Sequence, residues 1–307
     1  MLGRPEGLHY VQSNGQTVVK PRIAITEGDP AGIGPEIARR AAADSRVLEK
    51  CEPVLYGAAD GTAFEPGVLS AEAGKAAYEA ILRATADAQH GDVAAIATAP
   101  INKEALRLAG YPWNGHTDLL AHLTRTEHVA MMFFSDELRV VLATVHVPLA
   151  DVPRLLTQSL VERTIALTAR ELPKFDKVQP RIAVAGLNPH AGEHGLFGTE
   201  EQEAIVPAID RCRAKGIDVS GPFPADTLFV RARRGEFDVV IACYHDQGLI
   251  PVKLAAFGKA VNVTIGLPII RTSVDHGTAF DIAGKGIADA ESMVAAVLLA
   301  ARLARSA

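Results

Sequence analysis

The fold is decided by FDVVIACYH, residues 237–245, in which an apolar, β-branched run ends in a histidine. Such a run is typical of a strand that is buried on both faces, as in the parallel sheets of α/β proteins. The pattern recurs in VVLATVH, residues 140–146, and in IAVAGLNPH, residues 182–190. An open α/β sheet, with ligands bound beyond the carboxyl ends of its strands, is therefore predicted.

Each of these runs ends in a histidine, and a loop rich in Pro, Gly or Asp is predicted after each of the three: His146, His190 and His245. A single histidine is more often a hydrogen-bonded structural residue than a ligand, but three in one strand-end setting favour a site. Imidazoles that reach the same edge of a sheet can bind a divalent metal ion. The pattern predicts a metal site built from distant parts of the chain.

The composition is that of an ordinary globular enzyme. The 307 residues are 48% hydrophobic and 22% charged, enough for one large or two ordinary domains. The net charge of −5 disfavours nucleic acid as a partner, because nucleic acid binding generally needs a basic surface. No stretch approaches the ~18 apolar residues of a membrane span, and the three cysteines have neither disulfide nor zinc-knuckle spacing. A cytoplasmic location is expected.

Short apolar runs alternate with amphipathic segments, which indicates βαβ units with right-handed crossovers. The predicted strands are 22–26, 53–57, 93–98, 181–186 and 237–243. The predicted helices are 34–43, 71–89, 103–109, 156–171, 200–215 and 287–304. In the middle, residues 129–134 and 138–145 flank a short polar turn and predict an antiparallel hairpin. The predicted organisation is a flexible N-terminal extension (1–21), a discontinuous lobe (22–128 and 237–307) and a second α/β lobe with the hairpin (129–236).

A glycine-rich loop, EGDPAGIGPE at residues 27–36, follows the first predicted strand. Its glycines permit backbone conformations closed to other residues, and the helix N-terminus after it offers amide donors to an anion. It has neither GxGxxG spacing nor the Gly-Lys-Ser/Thr ending of a Walker loop. A purely structural turn is at least as well supported as an anion site.

Two polar clusters follow other strands. TAPINK, residues 98–103, and GHTD, residues 115–118, offer groups that could hold a substrate anion, although Thr117 or Asp118 could instead cap the next helix. The denser cluster begins at Tyr244-His-Asp-Gln-Gly248 and continues to Lys253, Asn262 and Arg271. Lysine and arginine suit phosphate or carboxylate, and Asp246 could support a metal-bound histidine. Each residue alone fits a structural ion pair equally well, whereas the cluster as a whole favours a site.

Five motifs resemble one family: GDPAGIGPE, NPHAGE, PADTLF, YHDQGLIPVK and GLPIIRTSVDHGTAFDIAGKG. Together they are similar to the 4-hydroxythreonine-4-phosphate dehydrogenases of vitamin B6 biosynthesis, from about residue 22 to the C-terminus. DHGTAFDIAGKG also resembles the cofactor-side segment of isocitrate and isopropylmalate dehydrogenases. The resemblance implies their two-lobed α/β fold, mostly a parallel sheet with helices on both faces and an antiparallel insertion.

The resemblance implies a homodimer that binds NAD or NADP and one divalent metal ion per site. It implies oxidation of the C3 hydroxyl of 4-phosphohydroxy-L-threonine and decarboxylation to 3-amino-2-oxopropyl phosphate. The implied metal ligands are His146, His190 and His245, one of them donated by the neighbouring subunit across an interface that the hairpin helps to form. The implied substrate-binding residues are His116, Thr117, Lys253, Asn262 and Arg271. The implied cofactor-side residues are His276, Gly277 and Asp281.

The catalytic roles are hypotheses. A metal ion beside the hydroxyl lowers its pKa, and Lys253 either helps to remove the proton or binds an anionic end of the substrate. Asp246 and Asp226 would polarise their neighbours. Three imidazoles suit zinc, cobalt or nickel, whereas added oxygen ligands would also admit magnesium or manganese.

Other functions stay open. A related dehydrogenase could act on D-threonate or D-erythronate 4-phosphate or on an aromatic cis-dihydrodiol acid, and His116, Thr117 and Arg271 favour a phosphorylated substrate. A metal-dependent acyl or phosphoryl transferase, or a non-catalytic phosphate-binding module, is a further class, which DHGTAFDIAGKG disfavours. Residues 58–70 form a shorter connection than in many members of the family, which leaves the local shape of that lobe open.

Overall fold

The structure is a computed structural model that describes residues 9–11, 17–59, 61–256 and 258–306. These residues belong to two compact units, Met1–Glu127 with Leu267–Ala307 (unit 1) and His128–Gly266 (unit 2). Of the predicted N-terminal extension, two short strands and residues 20–21 are described, and the rest lies outside the described residues. No helix in the described ranges combines the length and the apolar character that a membrane crossing requires.

The strands are β1 (His9–Val11), β2 (Thr17–Val19), β3 (Arg22–Thr26), β4 (Glu52–Tyr56), β5 (Ala95–Thr98), β6 (Ala130–Phe134), β7 (Arg139–Leu142), β8 (Ile182–Ala185), β9 (Val219–Phe223), β10 (Val239–Ala242), β11 (Val261–Ile265) and β12 (Arg271–Ser273). The α-helices are α1 (Gly34–Ala43), α2 (Ser45–Lys50), α3 (Ala71–His90), α4 (Lys103–Leu108), α5 (His116–Leu123), α6 (Val152–Leu155), α7 (Gln158–Glu171), α8 (Val206–Ala214), α9 (Ala225–Arg233), α10 (His245–Ala256) and α11 (Glu291–Ser306). Short 3₁₀ helices span Leu149–Asp151 and Leu172–Phe175, and a π-helix spans Glu201–Ile205. Residues Pro189–Gly195 form a turn whose backbone is left-handed at residues 190–194.

Unit 1 is built on parallel strands in the order β4-β3-β5-β12. Its core joins Ile23 and Ile25 of β3 to Ile37 of α1 and to Met293 and Val297 of α11, all of them buried. The helices begin and end where the sequence offers caps. For example, the Ser70 hydroxyl accepts a hydrogen bond from a backbone amide at the start of α3, and Gly91 ends that helix with a φ of 84°.

Unit 2 has the strand order β11-β6-β7-β10-β8-β9. β6 is antiparallel to both β7 and β11, whereas β7, β10, β8 and β9 run parallel. The hairpin predicted from residues 129–145 is therefore present, with its strands inside this sheet. Because β10 pairs with β7 and β8, residues 237–266 fall in unit 2, whereas the sequence grouped them with residues 22–128.

Some local expectations are wrong. A loop was expected after His245, but α10 begins at that residue and contains Pro251. α5 begins at His116 with Gly115 as its N-cap, so neither Thr117 nor Asp118 caps it. The predicted helix of residues 200–215 begins as a π-helix. Five strands that the periodicity does not predict are also present: β1, β2, β9, β11 and β12.

Candidate active site

Two of the three strand-end histidines meet in unit 2. β7 and β10 are parallel neighbours, and the Ala143 amide still donates to the Ala242 carbonyl (2.9 Å) where the strands end. The residues that follow the two strands therefore emerge side by side, and the ring centroids of His146 and His245 lie 5.6 Å apart. Both histidines line a cavity of about 300 Å³, with these other residues: Val145, Val147, Leu149, Val152, Tyr244 and Asp246.

Asp246 contacts His245 directly. Its Oδ1 lies 2.6 Å from Nδ1 of His245, where the carboxylate can accept a hydrogen bond from the ring N–H. A hydrogen bond at Nδ1 fixes the tautomer and leaves Nε2 available as a ligand. This is the arrangement by which a carboxylate orients a metal-binding imidazole.

His190 lies on a different part of unit 2. It follows β8 in a left-handed turn, and its side chain is 66% exposed, with Nδ1 3.8 Å from a carboxylate oxygen of Glu193. It lines another cavity of about 340 Å³, together with His194, Glu201 and Pro222. Within the described ranges, no three His, Cys, Asp or Glu side chains come close enough to hold a metal ion. A histidine triad completed within one chain is therefore not seen, and its completion by a neighbouring subunit stays a prediction.

Unit 1 contains a buried cationic cradle. Arg271 begins β12 and is only 2% exposed, and its Nε and Nη2 donate to Oγ1 of Thr98 at 3.2 and 2.8 Å. The Thr98 hydroxyl in turn donates to Oγ of Ser273 at 3.0 Å, because Thr98 and Ser273 are register partners on β5 and β12. Burial lowers the pKa of Arg271 to about 9, so the guanidinium stays charged at neutral pH.

His116 adds a neutral imidazole to unit 1. It is 8% exposed, and its buried Nε2 has no hydrogen-bond partner in the ranges that the structure describes. Burial, and then the charge of Arg271, hold the pKa of His116 well below 6.5. Thr117 is half-buried in the first turn of α5. A buried cation with an unsatisfied ring nitrogen, near a helix N-terminus, is chemically suited to an oxyanion such as phosphate.

The remaining predicted substrate and catalytic residues lie in unit 2. Asn262 on β11 is half-buried, and its Oδ1 is buried without a hydrogen-bond partner in the described ranges. Lys253 is half-buried on α10, and Asp226 is exposed in the first turn of α9. The orphaned amide oxygen of Asn262 can accept a hydrogen bond from a ligand.

The glycine-rich loop packs against the predicted cofactor segment in unit 1. The Ile33 amide donates to the Thr278 carbonyl at 3.0 Å, and a Cβ on Gly32 would lie 2.9 Å from that same oxygen. The loop therefore has a packing role, and it also borders the segment that carries the predicted cofactor-side residues. In that segment His276, Gly277 and Asp281 are exposed, and no atom of the described residues lies within 4 Å of a Cβ built on Gly277.

The short connection before α3, residues 58–70, also packs against the glycine-rich loop and the predicted cofactor segment. The sequence did not predict this contact. The Gly67 amide donates to the Ala31 carbonyl at 2.7 Å, and a Cβ on Gly67 would lie 2.9 Å from the Phe280 carbonyl oxygen. The signal was present in the sequence only as a length difference in residues 58–70. The contact shows where that shortened segment packs.

A model of the family described as pyridoxal phosphate biosynthetic protein PdxA matches residues 18–300. The chain belongs to the PdxA family. A Geobacter metallireducens protein named 4-hydroxythreonine-4-phosphate dehydrogenase is 46% identical, with 93% of this chain and 96% of that protein covered. A Cupriavidus necator protein named D-threonate 4-phosphate dehydrogenase is 45% identical, with 92% of this chain and 97% of that protein covered.

Solved structures agree with this assignment. The crystal structure of a 4-hydroxythreonine-4-phosphate dehydrogenase from Klebsiella pneumoniae has a TM-score of 0.85 at 44% identity, and covers 93% of this chain and 98% of that one. A β-decarboxylating dehydrogenase from Thermococcus kodakarensis has a TM-score of 0.52 at 17% identity, covers 92% and 81%, and supports the fold alone. The predicted fold class is confirmed. The alignment to the Geobacter relative spans 328 positions, more than the 307 residues of this PdxA chain, so that relative carries residues that this chain lacks.

Proposed function

We propose that this PdxA-family chain oxidises 4-phosphohydroxy-L-threonine, with a divalent metal ion and NAD or NADP, to 3-amino-2-oxopropyl phosphate and carbon dioxide. The observation that carries the proposal is the buried cationic cradle of unit 1, which consists of Arg271, Thr98 and His116. A guanidinium buried with hydroxyl partners and a neutral imidazole matches the charge and the acceptors of a phosphate ester. The remainder of the proposed substrate, apart from its phosphate, is taken from the name of the Geobacter relative.

The metal ligands in this proposal are His146 and His245 of one protomer and His190 of a second copy. The donor set fits, because the two neighbouring imidazoles are supported by Asp246 while His190 is exposed elsewhere on unit 2. A bound divalent ion would supply Lewis acidity toward the substrate hydroxyl, and the nicotinamide would accept the hydride. Zinc, cobalt, magnesium and manganese remain the candidate ions.

The exposed apolar side chains near these histidines support a homodimer. Leu149 beside the His146 cavity is 65% exposed, and Ile250 and Leu254 on α10 are 59% and 83% exposed. Near His190, Leu196 and Phe197 are 71% and 48% exposed. Apolar side chains clustered beside polar site residues are typical of surfaces that another chain covers. A second copy of this chain would bury them and bring its own histidine.

The chain's residues account for the proton and the charge. Lys253, or solvent beside it, takes the hydroxyl proton, and the nicotinamide, when bound, would accept the hydride from C3. The bond between C2 and the carboxyl carbon then breaks, its electron pair stays on C2, and a proton is returned there. Arg271 and His116 hold the phosphate throughout, and Asp226 polarises a neighbouring group.

D-threonate 4-phosphate is the second candidate substrate, because the Cupriavidus relative at 45% identity carries that name. It has a hydroxyl where the first substrate has an amine, and it presents the same phosphate to the cradle. D-erythronate 4-phosphate tests the stereochemistry at the same position. The unit 1 cradle favours all three over an aromatic diol acid, which carries no phosphate.

The proposal is tested by one assay series. Purified chain with each candidate metal is given the three phosphorylated acids, with NAD and with NADP, and reduced nucleotide is followed at its absorption band. We expect the highest kcat/KM for 4-phosphohydroxy-L-threonine, loss of turnover after chelation, and recovery when metal is returned. A preference for D-threonate 4-phosphate would select the second candidate, and no reduced nucleotide from any acid would rule out the dehydrogenase.

A further inference from the structure

The backbone that presents His190 has an unusual conformation. Five consecutive residues, 190–194, have φ between 42° and 80°, and four of them are not glycine. A left-handed conformation costs an ordinary residue about 1–2 kcal/mol. Such a run persists only where surrounding contacts hold it in place, and strained backbone of this kind clusters at functional sites.

The contact that holds this turn comes from Glu201, the first residue of the π-helix. Glu201 is 3% exposed, and its carboxylate accepts two hydrogen bonds from Asn188. The backbone N of Asn188 donates to Oε1 at 2.7 Å, and its Nδ2 donates to Oε2 at 3.0 Å. Hydrogen bonds from amides to a carboxylate are short and strong when water is excluded. Glu201 thus fixes the backbone two residues before His190.

The turn is closed tightly around this carboxylate. A Cβ on Gly192 would lie 2.6 Å from Oε2 of Glu201, and a Cβ on Gly198 would lie 2.5 Å from Nδ2 of Asn188. Glu200 adds a third hydrogen bond, since its Oε2 accepts from Nδ2 of Asn188 at 2.7 Å. Gly192 and Gly198 therefore pack closely against the Glu201–Asn188 pair, one on each side of His194 in the sequence.

We propose that Glu201 is a positioning residue for His190, and that its pairing with Asn188 sets the direction in which the His190 imidazole is presented to the metal ion. The inference rests on the proposed function, in which His190 is a metal ligand. Glu201 itself does not bind the ion in this proposal. Without the carboxylate the turn can relax toward right-handed backbone, which carries the imidazole away from its place.

The test compares Glu201→Gln with Glu203→Gln on the full-length chain. The first change keeps the side-chain shape but puts an NH₂ group against the donors of Asn188, whereas Glu203 is an exposed residue of the same helix. Cobalt(II) affinity is measured from the visible absorption of the bound ion, and nucleotide affinity is measured by fluorescence titration. We expect Glu201→Gln to weaken cobalt binding about 10- to 100-fold, as loss of a residue that orients a metal ligand does. Nucleotide affinity, and both affinities of Glu203→Gln, should stay at the wild-type values.

Cobalt affinity within twofold of wild type in folded Glu201→Gln would overturn the inference. If that variant does not fold, Glu201→Asp keeps the charge but shortens the side chain and withdraws the carboxylate from both donors of Asn188, and unchanged cobalt affinity there would overturn the inference equally. His190→Ala distinguishes the assignment of His190 as a metal ligand from the positioning role of Glu201. If His190→Ala binds cobalt normally, the ligand assignment in the proposed function fails. If it loses cobalt while Glu201→Gln does not, only the role of Glu201 fails.

Discussion

Replacing Thr98 by valine should weaken binding of the phosphorylated substrate. The Thr98 hydroxyl is the acceptor for both Nε and Nη2 of Arg271, at 3.2 and 2.8 Å, and all of these groups are buried. Valine has nearly the same shape and cannot accept either bond. The guanidinium would keep its charge but lose two of the hydrogen bonds that orient it toward a phosphate.

The expected size follows from the bonds that are lost. A hydrogen bond to a charged group contributes about 1.5–3 kcal/mol, and about 1.4 kcal/mol corresponds to a tenfold change in affinity. These bonds are present without substrate, so their loss first lowers the free energy of unfolding by an amount of this order. The substrate KM should rise about tenfold if the misoriented Arg271 loses one hydrogen bond to the phosphate. kcat should change less, because Thr98 contacts the guanidinium assigned to the phosphate and not the residues assigned to the hydroxyl.

The assay is steady-state kinetics with the phosphorylated substrate varied, together with thermal unfolding of each variant. Thr85→Val is the matched control. Thr85 is 1% exposed, and its hydroxyl donates to the Ile81 carbonyl (2.7 Å) within α3. It should lose some stability with an unchanged KM. An unchanged KM in Thr98→Val would refute the reasoning, because Arg271 would then not depend on this contact.

Three further predictions concern pH, the nucleotide and the dimer. The folded chain keeps His116 neutral, whereas the unfolded chain protonates it below pH 6.5. Lowering the pH below 6.5 should therefore reduce the free energy of unfolding by up to about 1.4 kcal/mol per pH unit. Urea unfolding at several pH values should show a weaker pH dependence in His116→Gln. Gly67→Ala should raise the nucleotide KM about tenfold, because the new Cβ would collide with the Phe280 carbonyl. Gly61→Ala is the control, since its φ is also near 80° but its Cβ would not meet that carbonyl, and it should leave the nucleotide KM unchanged. Leu254→Glu should shift the sedimentation of the chain from dimer to monomer, and an unchanged dimer would exclude that surface of α10 from the interface.

Much of the fold follows from local pattern. The sequences of β3, β5, β8 and β10 are continuous apolar runs rich in β-branched residues, and nearly all of their residues are buried, as such runs predict. β12 is different. It has three residues, RTS, and polar residues of this kind do not signal a strand by period. Thr272 can be buried there without cost to its hydroxyl, because the hydroxyl donates to the Ala296 carbonyl of α11, 24 residues further along the chain.

The helix that begins at His245 was hidden for a related reason. Gly248 and Pro251 normally argue against a helix interior, yet Gly248 is required where α10 crosses β7. A Cβ there would lie 2.6 Å from a methyl carbon of Leu142. Close packing against another element thus overrides the local preference.

Some of the candidate site could likewise be predicted from local sequence, and some could not. The approach of His146 to His245 follows from two parallel strands that are neighbours, and strand-end position was enough to suggest it. The left-handed turn at His190 could not be predicted, because four of its five residues are not glycine. The hydrogen bonds between Asn188 and Glu201, 13 residues apart in the sequence, form only in the folded chain.

The most direct test of the shared metal site is complementation between two inactive variants. His146→Ala and His190→Ala chains are purified separately, mixed in equal amounts under conditions that exchange subunits, and assayed against each chain alone. If one protomer supplies His146 and its partner supplies His190, a mixed two-fold dimer has one intact site and one doubly altered site, and activity should recover to about a quarter of wild type. No recovery, with mixed dimers shown to form, would mean that each chain builds its own site and would contradict the account.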